Sequence, residues 1–138
     1  MINSRSLADL RPVVAAKADA FVTACRAAGV DVLITSTFRD NESQDALYAQ
    51  GRTAPGKRVT NAKGGQSMHN HRCAFDFVPV VHGKAMWDDA RVFKRCGAIA
   101  QSLGLEWGGR WVTRPDAPHC QYTGGLTLAD LQSGKVPK

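Results

Sequence analysis

The sequence predicts an α+β fold: one compact domain in which a small, mostly antiparallel sheet is flanked by helices. Three observations carry that reading. Two long segments, one after Ser6 and one after Asp88 or Asp89, repeat apolar residues every three or four positions, as a helix with one buried face must. Short strand-like runs, Asp31–Ser36 and Cys73–Val81 among them, are interspersed with these segments. No repeat and no linker divides the 138 residues, so 1–138 reads as a single domain, long enough to bury a core.

The elements follow in order. Ser6 is placed to cap a helix whose apolar face is Leu7, Leu10, Val14, Ala18, Phe21 and Cys25, with Gly29 ending it. Asp31–Ser36 is β-branched and predicts a strand, and Asn41–Gln50 predicts a second helix closing at Gly51. Residues 52–66 are rich in Gly, Lys, Thr and Asn and contain Pro55, the mark of a long loop, which at this length is usually functional or mobile. Cys73–Val81 is again strand-like. A helix then runs from Asp88 or Asp89 to Leu103, with Val92, Phe93, Cys96, Ile99, Ala100 and Leu103 on its core side and Gly104 as its stop. A Gly- and Trp-rich segment leads to a last strand at Cys120–Tyr122, and Thr127 with Asp130 forms a capping-box-like start for a short terminal helix.

Composition narrows the function classes. Apolar residues make up 43% and charged residues 22%, ordinary for a globular protein. The longest apolar stretches, such as Val30–Ile34, are too short to span a bilayer, and the polar start Met1–Ser6 is not a signal peptide, so synthesis in the cytosol is expected. The net charge of +6 suits an anionic polymer. Nucleic acid is disfavoured as that polymer, because the basic residues are scattered and not interleaved with aromatics. Cys25, Cys73, Cys96 and Cys120 form no CxxC pair, which argues against a cysteine zinc site; Cys25 and Cys96 fall on apolar helical positions and read as buried thiols.

Chemistry concentrates in two places, Ser67–Asp76 and Asp116–His119. A catalytic zinc needs three imidazole or carboxylate ligands and an open position for water, and His69, Asp76 and His119 are able to supply such a set. Asp116 then remains free to take a proton from the attacking water and pass it to the leaving amine. Residues 69 and 76 on one straight strand would face opposite ways, roughly 23 Å apart at about 3.3 Å per residue, so His69 must sit on a bend that folds back over Asp76. Pro118 rules against a helix through Asp116 and His119, which places that pair on a tight turn entering a strand. Each of these residues, taken singly, has a plain alternative as a surface or hydrogen-bonded core group.

The pattern Ser67, His69, Ala74 and Asp76, followed by Asp116, Pro118 and His119, resembles the zinc signature of the family of D-Ala-D-Ala carboxypeptidases and L-alanyl-D-glutamate peptidases, which includes phage endolysins and vancomycin-resistance peptidases. Ile34–Arg39 with Gln44 and Leu47–Gly51 is similar to the family's segment carrying a substrate-contacting arginine. Gly83, Lys84, Trp87 and Asp88 resemble a hairpin and helix start of the endolysin branch, and Leu103–Trp111 resembles the stretch before the last zinc ligand. The resemblance covers about residues 7–122 in the correct order.

What the resemblance implies is a zinc peptidase with one catalytic ion on the sheet, held by His69, Asp76 and His119, with Asp116 as general base and Arg39 steadying the substrate carbonyl and its developing charge. Ser67 and Gln44 are expected near substrate, although the Ser67 hydroxyl serves equally well as a loop cap. Trp107 reads as core; Trp111 is either core or a surface for substrate. The implied substrate is the peptidoglycan stem, cut between L-alanine and D-glutamate by a monomeric lysin that a separate holin-like factor releases from the host cytoplasm. The alternatives are a carboxypeptidase releasing D-alanine and a non-catalytic zinc-containing wall-binding module; the spare carboxylate of Asp116 speaks against the latter. Two positions depart from the family pattern: Arg72 stands where a glycine would ease the bend, and Arg110 where an aspartate is common. His71 is an alternative ligand or a plain neighbour of the site.

Overall fold

A computed structural model describes residues 1–138. In chain order it has α1 (Pro12–Ala27), β1 (Asp31–Ser36), α2 (Asn41–Ala49), β2 (Ala74–Val81), β3 (Lys84–Ala85), α3 (Ala90–Ser102), β4 (Glu106–Trp107), β5 (His119–Gln121) and α4 (Leu128–Gln132). The sheet order is β1-β2-β5-β4, with β3 paired to the far end of β2, and every pairing is antiparallel. The expected α+β class and antiparallel sheet are both present. No helix is long and apolar enough to cross a membrane.

The strand alternation of β2 decides which face carries what. Phe75 and Phe77 point to one face and are fully buried, so Asp76 between them must point to the other. On the Phe face lie α1, through Val14, Ala18, Phe21 and Cys25, and α3, through Phe93, Cys96 and Ala100. Phe21 meets Phe77 edge-on with ring centroids 4.9 Å apart, and Phe77 meets Phe93 at 5.5 Å. Each such ring, fully buried, contributes about 1.5–3 kcal/mol of transfer free energy. All four cysteines are buried and free, the reading expected for Cys25 and Cys96.

Some boundaries differ from expectation for identifiable reasons. Ser6 caps only a short 3-10 turn, Leu7–Asp9, and the α-helix begins afresh at Pro12, which suits a first helical position because it needs no N–H partner there. The long helix after Gly83 is capped by Asp89, whose side chain accepts from the Val92 N–H. The last strand starts at His119 instead of Cys120, and Thr127 and Asp130 form a full capping box on α4. The 52–66 stretch contains no helix or strand, yet Arg52 ties it down. Its guanidinium lies over the Tyr48 ring at 3.9 Å and donates to the Tyr48 and Thr60 carbonyls.

The first residues form a short strap beside Thr37–Asp40. Ser4 N–H donates to the Phe38 carbonyl at 2.8 Å, Thr37 N–H to that of Ser4 at 2.7 Å, and Asp40 N–H to that of Ile2 at 3.0 Å. The backbone on both sides of Arg39 is thereby fixed from outside the sheet.

Candidate metal and catalytic site

His69 sits on a one-turn 3-10 helix, Met68–His71, immediately before β2. Ser67 caps that turn, accepting from His69 N–H, while Asn70 reaches back to the Ser67 backbone. The turn closes at Arg72 in the left-handed region, φ 63° and ψ 28°, which is the bend the two-face argument demands. A non-glycine residue there costs about 1 kcal/mol of backbone strain. Arg72 offsets it by laying its guanidinium 3.8 Å from the Phe38 ring centroid and donating to the Asp9 carbonyl at 2.8 Å. The position thus keeps the conformation a glycine would favour, and the arginine adds a tie to the N-terminal segment.

Asp76 and His119 are direct cross-strand partners between β2 and β5, so they share one face of the sheet at ladder spacing. His119 enters that strand from a tight turn, in which its N–H donates to the Asp116 carbonyl at 3.1 Å, as Pro118 requires. Gly108 makes room for the turn: a Cβ on it would lie 2.5 Å from the Asp116 carbonyl oxygen.

The three side chains converge. His69 Nε2 and His119 Nδ1 each lie 3.3 Å from Asp76 Oδ1, and the three ligand atoms are all within 4.8 Å of one another. The outer ring nitrogens are already committed. His69 Nδ1 donates to the Thr37 carbonyl at 2.8 Å, and His119 Nε2 donates to Gln121 Oε1 at 2.8 Å. Those bonds put the protons on the outer nitrogens and leave two lone pairs aimed at a carboxylate oxygen, a donor set that suits a cation in its middle. Asp76 Oδ1 is itself buried without a hydrogen-bond partner. These N, N and O donors, all within 4.8 Å of one another, fit a zinc ion.

The electrostatics follow from the crowding. Burial pushes the Asp76 carboxyl up, but His69 and His119 outweigh it and hold the group well below the usual carboxylate range. His119 is drawn down by burial and up by Asp76, Gln121 and Asp116, with the upward influences prevailing. Asp116, at the exposed rim of the cleft, is pushed up by partial burial and by Asp76, against His119, His69 and Arg39. Arg39 is lowered by burial, while Asp76 and Asp116 act in the opposite sense.

Arg39 points into the same space, with Nη2 3.9 Å from Asp76 Oδ2. Gln44 is buried and serves as its brace: Oε1 accepts from Arg39 Nη1 at 2.9 Å and Nε2 donates to the Ala62 carbonyl at 2.8 Å. Trp111 lines the cleft, its ring centroid 5.1 Å from that of His119 and its Nε1 donating to Glu106. Trp107 is in the core, as read from the sequence, and its Nε1 donates to the Ala117 carbonyl, steadying the turn before His119. His71 turns away to the Gly65 carbonyl at 2.8 Å and lies outside the metal-competent group. The sequence reading did not single out Gln121 or the Thr37 carbonyl. Gln121 was findable, because residues two apart on a strand share a face; a backbone carbonyl carries no signature.

A cleft runs past the cluster in two lobes. The inner lobe, about 460 Å³, contains Arg39, His69, Asp76 and His119; the outer, about 610 Å³, is walled by residues 59–62 on one side and 113–116 on the other. Asp116 and Trp111 border both.

A His-Asp-His donor set with both histidines buried, open to a cleft that also holds a free carboxylate and a guanidinium, defines a metal-dependent hydrolase. Residues 60–122 match the family model described as D-alanyl-D-alanine carboxypeptidase. The chain is 42% identical over 122 residues to the peptidoglycan L-alanyl-D-glutamate endopeptidase CwlK of Bacillus subtilis, covering 82% of this chain and 73% of that one. It is 35% identical over 100 residues to the L-alanyl-D-glutamate peptidase of Listeria phage A118, of which it spans 31%. The fold is shared with the Serratia marcescens L-Ala D-Glu endopeptidase ChiX (TM-score 0.64, 21% identity, 95% of this chain and 92% of that one). It is shared also with VanYB solved with D-alanine-D-alanine (TM-score 0.64, 14% identity, 93% and 79%). The chain belongs to the D-alanyl-D-alanine carboxypeptidase and L-alanyl-D-glutamate peptidase family of zinc peptidases.

Proposed function

We propose that the chain hydrolyses the bond between L-alanine and D-glutamate in the peptidoglycan stem, using one zinc ion. The observation that carries this reading is the convergence of His69, Asp76 and His119 beside Asp116 and Arg39, in a cleft whose outer lobe continues past the cluster. The similarity to two L-alanyl-D-glutamate peptidases supports the choice of bond.

His69 Nε2, Asp76 Oδ1 and His119 Nδ1 would hold the metal. A zinc ion bound there would supply Lewis-acid polarisation of the scissile carbonyl and a lowered pKa for the attacking water. Asp116, at the rim and outside the donor set, removes the proton from the attacking water and delivers it to the leaving nitrogen. Arg39, steadied by Gln44, directs its guanidinium at the oxygen on which negative charge develops. Trp111 packs against the bound stem, with Ser67 on the cleft wall. Residues 1–138 act as one peptidase domain and as a monomer, reaching the wall from the cytoplasm through a separate holin-like lesion.

Digestion of purified peptidoglycan, with and without a zinc chelator, tests the reading by mass spectrometry. Chelator-sensitive fragments with new D-glutamate amino termini are expected. Release of D-alanine in their place would establish a carboxypeptidase.

A further inference from the structure

The outer lobe of the cleft carries a charge that catalysis does not use. Of its ten lining residues only Asp116 and Arg114 are ionic. Arg114 is exposed, makes no hydrogen bond or ion pair to any side chain, and sits in the left-handed region at φ 54°. A non-glycine residue there stores backbone strain of about 1–3 kcal/mol, the kind of outlier that marks binding segments. The facing wall is neutral, made of Val59, Thr60, Asn61 and Ala62, and is pinned by Arg52 donating to the Thr60 carbonyl and Asn61 Oδ1.

We infer that Arg114 is a specificity residue that pairs with the free α-carboxylate of the D-glutamate on the leaving side of the scissile bond, so that the enzyme favours stems in which this carboxylate is not amidated. This deepens, and rests on, the L-alanyl-D-glutamate reading. In such a stem L-alanine is amide-linked on its amino side, so every free carboxylate lies beyond the bond that breaks. The nearest is on the carbon attached to the leaving nitrogen. Asp116 must reach that nitrogen to protonate it, and Arg114 stands two residues before Asp116 on the same wall of the cleft. A guanidinium there meets the carboxylate as a planar two-pronged donor, while a carboxamide offers it neither the charge nor a second acceptor oxygen.

The test uses zinc-loaded full chain and two synthetic peptides, lactoyl-L-Ala-γ-D-Glu-L-Lys and its D-isoglutamine counterpart. The wild type is expected to prefer the carboxylate peptide by about five- to tenfold in kcat/KM, mostly through KM, with the ratio shrinking as salt rises. Arg114→Gln is expected to bring the ratio close to one, and Arg114→Lys to keep part of it. A wild type indifferent to amidation, or an Arg114→Gln enzyme with the preference intact, overturns the inference alone. Failure of the wild type to cut either peptide at the alanine–glutamate bond overturns the functional reading as well.

Discussion

Gln121→Leu should weaken zinc binding without touching a ligand. In the structure Gln121 Oε1 lies 2.8 Å from His119 Nε2, on a ring only 7% exposed. That bond fixes the proton on Nε2 and so presents the Nδ1 lone pair to Asp76 Oδ1, 3.3 Å away. Leucine keeps the volume and removes the acceptor. The ring is then free to change tautomer, and its buried N–H loses its partner. Loss of such an outer partner typically lowers metal affinity 10–100-fold, about 1.4–2.7 kcal/mol. Competition against a fluorescent zinc chelator at fixed pH measures it directly. Gln121→Glu, which retains an acceptor oxygen, should stay near the wild-type Kd. His71→Ala should leave Kd unchanged, because that ring is turned to Gly65. A Gln121→Leu protein within threefold of wild type would show that sheet pairing alone orients His119 and would refute the argument.

Asp116→Asn should lower hydrolysis about 10²–10⁴-fold, the usual worth of a general base, while zinc content measured by atomic absorption stays at the wild-type level. The metal-free protein should be most thermostable between roughly pH 4 and 6.5. The lowered Asp76 pKa gives stability that is present above 3.8 and lost as pH falls, and the raised His119 pKa gives stability present below 6.5 and lost as pH rises. A Tm in chelator that fails to fall on either side of that window would contradict the ion-pair account. Gly97→Ala drives a methyl into the Trp107 ring and should destabilise by about 1–3 kcal/mol, visible as a lower Tm by calorimetry.

The candidate site was more legible in the sequence than the elements that build it. His69, Asp76 and His119 were legible because metal chemistry restricts residue type, and their incompatibility with one straight strand already required a bend. Its form was less legible. Glycine is the usual left-handed residue, and Arg72 takes that role through contacts with Phe38 and Asp9, which lie far away in sequence. β4 is two residues long, too short for any periodicity, and the start of β5 is set by the Asp116–His119 turn. Arg39's brace was half legible: Gln44 came from the family pattern as a substrate neighbour, whereas its burial and its bond to Ala62 are matters of packing.

The strap formed by Ile2–Ser4 has a consequence for motion. Its bonds to Thr37, Phe38 and Asp40 close no part of the aromatic core, so it can peel away while the sheet stays intact. The amide protons of Ser4, Thr37 and Asp40 should therefore exchange with deuterium well before that of Phe77, which lies in the centre of β2. Each such opening leaves the backbone around Arg39 without its outer ladder. The stillness of the guanidinium in the cleft is then limited by how often the far end of the chain lifts off.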